Sequence, residues 1–148
     1  MSWLDTLNTL GVQVDEQGNC QVSEANNTAT DVTITPLTHL GLFAVLGPDA
    51  EKFLQGHLSC DISSVSAGKS LLGAHCNIKG SMVSLSRLMP VDNGFWLRTE
   101  RAILDTAMTN LKKYMIFSKA ESQNRTDEIV GLGFSGAQAT ALLSAKGF

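Results

Sequence analysis

Apolar residues in this chain come in short stretches of two different periods, and the changes of period mark its elements. Trp3, Leu4, Leu7 and Leu10 fall on one side of a helical wheel and predict a short amphipathic helix. Residues 15 to 31 are polar, rich in Asn, Asp, Gln and Thr, and predict a loop or connector. Val32-Thr33-Ile34-Thr35 alternates as a strand does, and Pro36 ends it or places it at a sheet edge. The continuous run Leu42-Phe43-Ala44-Val45-Leu46 predicts a buried strand. Gly47 turns the chain, and Pro48 suits the first position of a short helix that turns Phe53 and Leu54 to the core. Asp49 and Glu51 then sit where the helix dipole favours negative charge.

Strands are expected over 70–77, 80–90 and 95–98, the last two joined by a tight hairpin at Asp92-Asn93-Gly94. Thr99 is expected to cap the clearest helix, which lines up Leu104, Ala107, Met108, Leu111 and Met115 on one face. A strand over 129–134 and a last helix over 137–145, capped by Ser135, complete the pattern. Hairpin strands with helices between them imply an α+β domain, an antiparallel or mixed sheet with packed helices. The expected division is an N-terminal helix and connector over 1–31, a core over 32–127, and the start of a further subdomain over 128–148.

Composition narrows the function classes. At 148 residues the chain is long enough for one core, and 43% hydrophobic with 17% charged residues suits a globular protein. Its net charge is −3 and the basic residues are scattered, which argues against a non-specific grip on nucleic acid. No apolar run reaches the ~18 to 20 residues of a membrane span, and the first residues do not form a secretory signal. Cys20, Cys60 and Cys76 are odd in number and lack a framework spacing, so the expected setting is the reducing cytoplasm.

Several motifs invite a chemical reading. Gly131-Leu132-Gly133-Phe134-Ser135-Gly136 matches a dinucleotide fingerprint, yet no acid follows ~20 residues later, so a tight strand-to-helix turn is expected. His57, Cys60, His75 and Cys76 suggest a metal site, but adjacent strand residues point to opposite faces, which keeps His75 and Cys76 apart. A Cys–His nucleophile lacks an identifiable orienting partner, and Cys60 and Cys76 are expected as small buried residues. Asp61 either caps toward residues 63 and 64 or offers an acceptor at a cleft. Asn77 offers both donor and acceptor, and Lys79 is either a solvated turn residue or a cation for a carboxylate.

Phe53-Leu54-Gln55-Gly56 with Asp61, then Ala74-His75-Cys76-Asn77-Ile78-Lys79-Gly80, then Leu111-Lys112-Lys113-Tyr114 with Phe117-Ser118-Lys119, form an ordered set. In order and spacing, over roughly residues 37 to 145, this set resembles the folate-binding YgfZ family, relatives of the glycine-cleavage T-protein. The resemblance implies the N-terminal part of that fold and tetrahydrofolate as the small-molecule ligand. It also implies a role in iron–sulfur cluster assembly or repair and in cluster-dependent tRNA modification, with iron–sulfur or tRNA-modifying enzymes as partners.

The folate-binding candidates that follow are Leu40, Gln55, Asp61, Asn77 and Lys79. A carboxylate such as Asp61 suits the aminopyrimidine of a pterin, because it accepts two parallel N–H bonds. Leu40 stands where some members carry a tryptophan that lines the folate site. The aminomethyltransferases carry a catalytic aspartate on the strand matching Met82-Val83-Ser84-Leu85-Ser86, which has no acid here. The resemblance therefore implies folate binding without catalysis. An aminomethyltransferase and a ligand-free structural fragment are the alternatives. The family's later Lys-Gly-Cys-Tyr-x-Gly-Gln-Glu signature is absent, so either a fragment of a longer chain or a shortened gene product is expected. An uncovered apolar face on the last helix would favour a homodimer.

Overall fold

The computed structural model describes residues 3–22 and 32–148. The chain divides into two compact units, one of residues 1–39 and 130–148 and one of residues 40–129. The sequence breaks expected at 31/32 and 127/128 lie eight and two residues before these.

The second unit is built on a five-stranded antiparallel sheet. Its strands are β4 (Leu40–Leu46), β5 (Leu71–Cys76), β6 (Met82–Val91), β7 (Gly94–Glu100) and β8 (Glu121–Asn124), in the order β5-β6-β7-β4-β8. Helices α2 (Ala50–Gln55) and α3 (Leu104–Lys112) supply apolar faces to a core that also contains Phe43, Val45, Leu88 and Leu97. Phe43, Leu54, Ile62, Leu88 and Leu97 are fully buried. Each such side chain stabilises the fold by roughly 1.5 to 3 kcal/mol relative to exposure. β4 lies between β7 and β8, and its run Leu42 to Val45 is buried throughout, which explains the loss of alternation there.

The turn chemistry follows the sequence closely at two glycines. Gly47 has φ +123, and a Cβ there would collide with the Lys119 carbonyl. Gly94 opens β7 at φ +156, after Asn93 in the left-handed region at φ 64, and a Cβ at Gly94 would strike the Val45 carbonyl.

Three capping expectations are corrected. Thr99 lies inside β7, buried, and its hydroxyl donates to the Leu85 carbonyl at 2.9 Å. Strand pairing with Gly41 claims it, and α3 begins only after a 3-10 turn at Arg101–Ile103. Pro48 precedes α2, whose N-cap is Asp49; that carboxylate accepts from the Lys119 backbone N–H at 2.7 Å. Ser135 ends strand β9 (Leu132–Ser135), and α4 (Ala139–Ala145) starts beyond Gln138 without a side-chain cap.

The other unit contains α1 (Trp3–Thr9), the hairpin of β1 (Val12–Val14) and β2 (Cys20–Val22), the pair β3 (Thr33–Pro36) and β9, and α4. β3 runs antiparallel to β9, with Ile34 opposite Phe134. The polar stretch expected as a loop from residue 15 contains the second hairpin strand, and residues 23–31 lie outside the described residues. The hairpin turn closes where Asn19 donates through its backbone and its side chain to the Asp15 carboxylate, each at 2.8 Å. Those bonds hold the Asp15 carboxyl below the usual range. Gly131 to Gly136 is a strand followed by a turn, with Gly136 at φ 112.

Candidate functional site

The five sequence candidates separate into three places within the unit of residues 40–129. Gln55 and Asp61 meet at the 3-10 turn Ile62–Ser64, and Asn77 and Lys79 lie on the turn that follows the edge strand β5. Segment 58–60 runs along that edge, with a bridge from Leu58 to His75 and a bond from Ser59 N–H to the Ala74 carbonyl at 2.9 Å. Here the polar groups hold the chain itself. The Gln55 side-chain carbonyl accepts from Ile62 N–H at 2.7 Å.

Asp61 caps the 3-10 turn Ile62–Ser64. One of its oxygens accepts from the Ser63 hydroxyl at 2.7 Å, and the other from the Ser64 hydroxyl at 2.9 Å. These bonds, Ser63 first, hold its carboxyl below the usual range. Asn77 Oδ1 accepts from the backbone N–H groups of Lys79 at 2.9 Å and Ser81 at 3.0 Å, closing the β5–β6 turn. Lys79 is exposed on that turn.

Leu40 lies elsewhere, at the start of β4, in a pocket of about 380 Å³ on the sheet. Leu72, Leu85, Arg87, Arg98 and Glu100 line it as well. Its volume falls within the ~300 to 1,000 Å³ of small-molecule sites. Leu72 and Leu85 are 52% and 46% exposed, apolar surface that a planar ring would cover. Neighbouring strands place these groups together. Leu72 faces Arg87 across β5–β6, Arg87 faces Arg98 across β6–β7, and Leu40 faces Glu100 across β4–β7.

The register shifts between His75 and Cys76, leaving Val83 as an extra residue in β6. That bulge explains the partial alternation of residues 82–86. Leu85, Arg87 and Arg98 are brought together only by strand pairing, which is not local in sequence. The signal that would have found them is the arginines' register across the Asp92–Asn93 hairpin.

A second pocket of about 470 Å³ is lined by Leu46, Trp96, Arg125 and Glu128, among others. Its cation is already matched, because Arg125 donates to Glu128 and to Gln123, each at 2.6 Å. The Leu40 pocket differs in this respect. Arg87 donates to Ser70 Oγ at 3.0 Å, and the Arg98 guanidinium has no hydrogen-bond or ion-pair partner among the described residues.

The Cys and His residues arrange themselves by burial. His75 is buried on β5 and Cys76 beside it is exposed, which corrects the expectation of a buried Cys76; it ends β5 on the face opposite His75. Cys60 is half-buried, and burial pushes its thiol up, with the Asp61 charge adding to the effect. A protonated thiol is a weak nucleophile. His57 stacks on Phe53 with ring centroids 4.3 Å apart, and its Nδ1–H donates to the Phe53 carbonyl at 2.7 Å.

Among the described residues, no helix is long and apolar enough to cross a membrane.

Comparison with known proteins agrees with this architecture. The tRNA-modifying protein YgfZ of Klebsiella pneumoniae is 40% identical over 113 residues, covering 76% of this chain and 34% of that protein. Its counterpart from Photobacterium profundum is 35% identical over 103 residues, covering 70% and 31%. The chain thus spans about a third of the length of the curated relatives it matches. The crystal structure of glycine cleavage system aminomethyltransferase T from Bartonella henselae superposes with a TM-score of 0.73 over 97% of this chain and 42% of that one. At 19% identity that likeness is one of fold. A family model, the GCVT N-terminal domain, matches residues 13–146, and with its antiparallel sheet and packed helices the chain belongs to that family.

Proposed function

We propose that this chain is the tetrahydrofolate-binding portion of a YgfZ-type accessory protein. In the cytoplasm it supports iron–sulfur cluster assembly or repair and tRNA modification by a cluster-dependent enzyme, without catalysis of its own. The observation that carries this reading is the Leu40 pocket. It offers Leu40, Leu72 and Leu85 to the planar part of a ligand, beside charged groups that can pair with its polar end. The YgfZ relatives, which bear the name tRNA-modifying protein, support the role. None of the β6 residues at this pocket, Met82, Val83, Ser84, Leu85 and Arg87, is an acid, so the strand supplies no carboxylate to handle a proton or stabilise a cation at a folate nitrogen. Among the sequence candidates, Leu40 enters this reading as a ring contact. Gln55, Asp61 and Asn77 enter as residues that shape the neighbouring edge.

Calorimetric titration of tetrahydrofolate into the chain tests the proposal. Weak but saturable binding is expected, and Leu40→Asp should reduce it at least tenfold, because an ionised carboxylate against the ring loses its water. Asp61→Asn should leave affinity unchanged while lowering the melting temperature, because it weakens acceptance from the two serine hydroxyls. Absence of saturable binding would defeat the folate reading. Loss of affinity in Asp61→Asn with none in Leu40→Asp would move the site to the β5 edge.

A further inference from the structure

The residue pair Arg87 and Arg98 is an unusual use of a sheet. The two are direct cross-strand partners on β6 and β7, and both line the Leu40 pocket. Side chains at such positions start only ~4.5 to 5.5 Å apart at Cβ, and like charges placed there destabilise the pairing. A solvated pair at a sheet edge could diverge into water. This pair sits on interior strands, both residues only half-exposed. Among the described residues, the single carboxylate of the pocket is Glu100, two residues along β7 from Arg98, and it forms no ion pair with either guanidinium. The pocket lining therefore carries two cations against one anion, in a chain whose net charge is −3. Arg87 is steadied by Ser70, and Arg98 keeps its donors available.

We infer that the Arg87–Arg98 pair binds a carboxylate, and that in the proposed folate complex this is a carboxylate of the glutamyl tail. The inference rests on the folate reading and assigns the part of the ligand that the apolar wall does not explain. A guanidinium presents a planar fork that fits a carboxylate with two parallel N–H···O bonds, and a second guanidinium beside it can take the remaining lone pairs. Binding removes the mutual repulsion of the arginines. The site is thus complementary to an anion and less favourable when empty. Leu72, cross-strand from Arg87, and Leu85, two residues before it on β6, put apolar surface next to the cations. The expected ligand is accordingly amphipathic, with a flat ring system at one end and a carboxylate at the other.

The test compares tetrahydrofolate with tetrahydropterin, which lacks the tail, by titration calorimetry on the chain and on Arg98→Gln, Arg98→Lys and Arg87→Gln. Loss of one charge-assisted bond should lower tetrahydrofolate affinity of Arg98→Gln about tenfold or more. Tetrahydropterin affinity should be unchanged, and Arg98→Lys should recover part of the loss. Without ligand, Arg98→Gln should melt at the same temperature as the parent or higher, an outcome that a purely structural arginine would not produce.

A parent chain that binds both ligands equally, or an Arg98→Gln that loses both equally, overturns the tail assignment and leaves the folate reading standing. Absence of binding by either ligand overturns both. Inorganic phosphate that competes as strongly as free glutamate would assign the pair to phosphate and overturn the carboxylate.

Discussion

At the scale of single residues, the most demanding group is His75. It is 3% exposed on β5, opposite Ser84, and among the described residues its buried Nδ1 has no hydrogen-bond partner. Burial, and then the nearby charge of His57, hold its imidazole below the usual histidine range. In the unfolded chain a histidine takes up its proton near pH ~6.5. The folded form resists that proton, so the unfolded state binds more protons as pH falls. The stability that His75 contributes is complete above ~6.5 and is lost as pH drops through the lower folded value. Denaturant unfolding at pH 7.5 and 5.5 should show the protein less stable at the acid value, and His75→Leu should flatten that difference. A difference of the same size in His75→Leu would place the titrating group elsewhere. Asp61 makes the complementary point. Its capping of residues 63 and 64 was readable from one acid followed by two serines, because that interaction is local. The partners of His75 were not readable, because a buried environment is assembled from distant strands.

At the scale of elements, α3 follows its sequence pattern from Leu104 to Leu111, while Met115, expected on the same helix face, lies on a separate 3-10 turn at Met115–Phe117. Leu104, Ala107, Met108 and Leu111 are all buried, as their helical spacing requires. The residues that follow behave in opposite ways within one turn of chain. Met115 is buried, whereas Phe117 is 97% exposed. Leu111→Ala should therefore cost roughly 2 to 5 kcal/mol, the range for a large core residue cut back to a methyl group. Phe117→Ser should change stability by no more than about 0.5 kcal/mol, as surface substitutions do. Equal losses for the two would mean that Phe117 is covered in solution. The start of α3 shows the limit of local reading. Threonine before a helical pattern is a sound capping signal, but Thr99 is held by the β7 ladder and by the Leu85 carbonyl. Tertiary pairing outweighs the local preference.

At the scale of the whole molecule, each of the two units has its own strand pairing. β3 pairs with β9 across about two thirds of the chain, from Thr33↔Ser135 to Pro36↔Leu132, while β4 to β8 pair among themselves. Removal of residues 130–148 should therefore abolish hydrogen-exchange protection of the amides bonded in the β3–β9 ladder, while protection in β4, β6 and β7 persists. Loss of protection throughout would show that the five-stranded sheet depends on the terminal segment. The sequence alone was sufficient for the α+β class, for most strands and helices, for the Asn93–Gly94 hairpin and for the family resemblance. These depend on periodicity, turn residues and short motifs, which act between neighbours in the chain. Tertiary structure alone decided the strand order, the β6 bulge, the pairing of β3 with β9, and the company that Leu40 keeps. Arg87 and Arg98 are eleven positions apart in sequence and opposite in space. Only register turns that separation into a pocket, because a shift of one residue would send the side chains of one strand to the other face of the sheet.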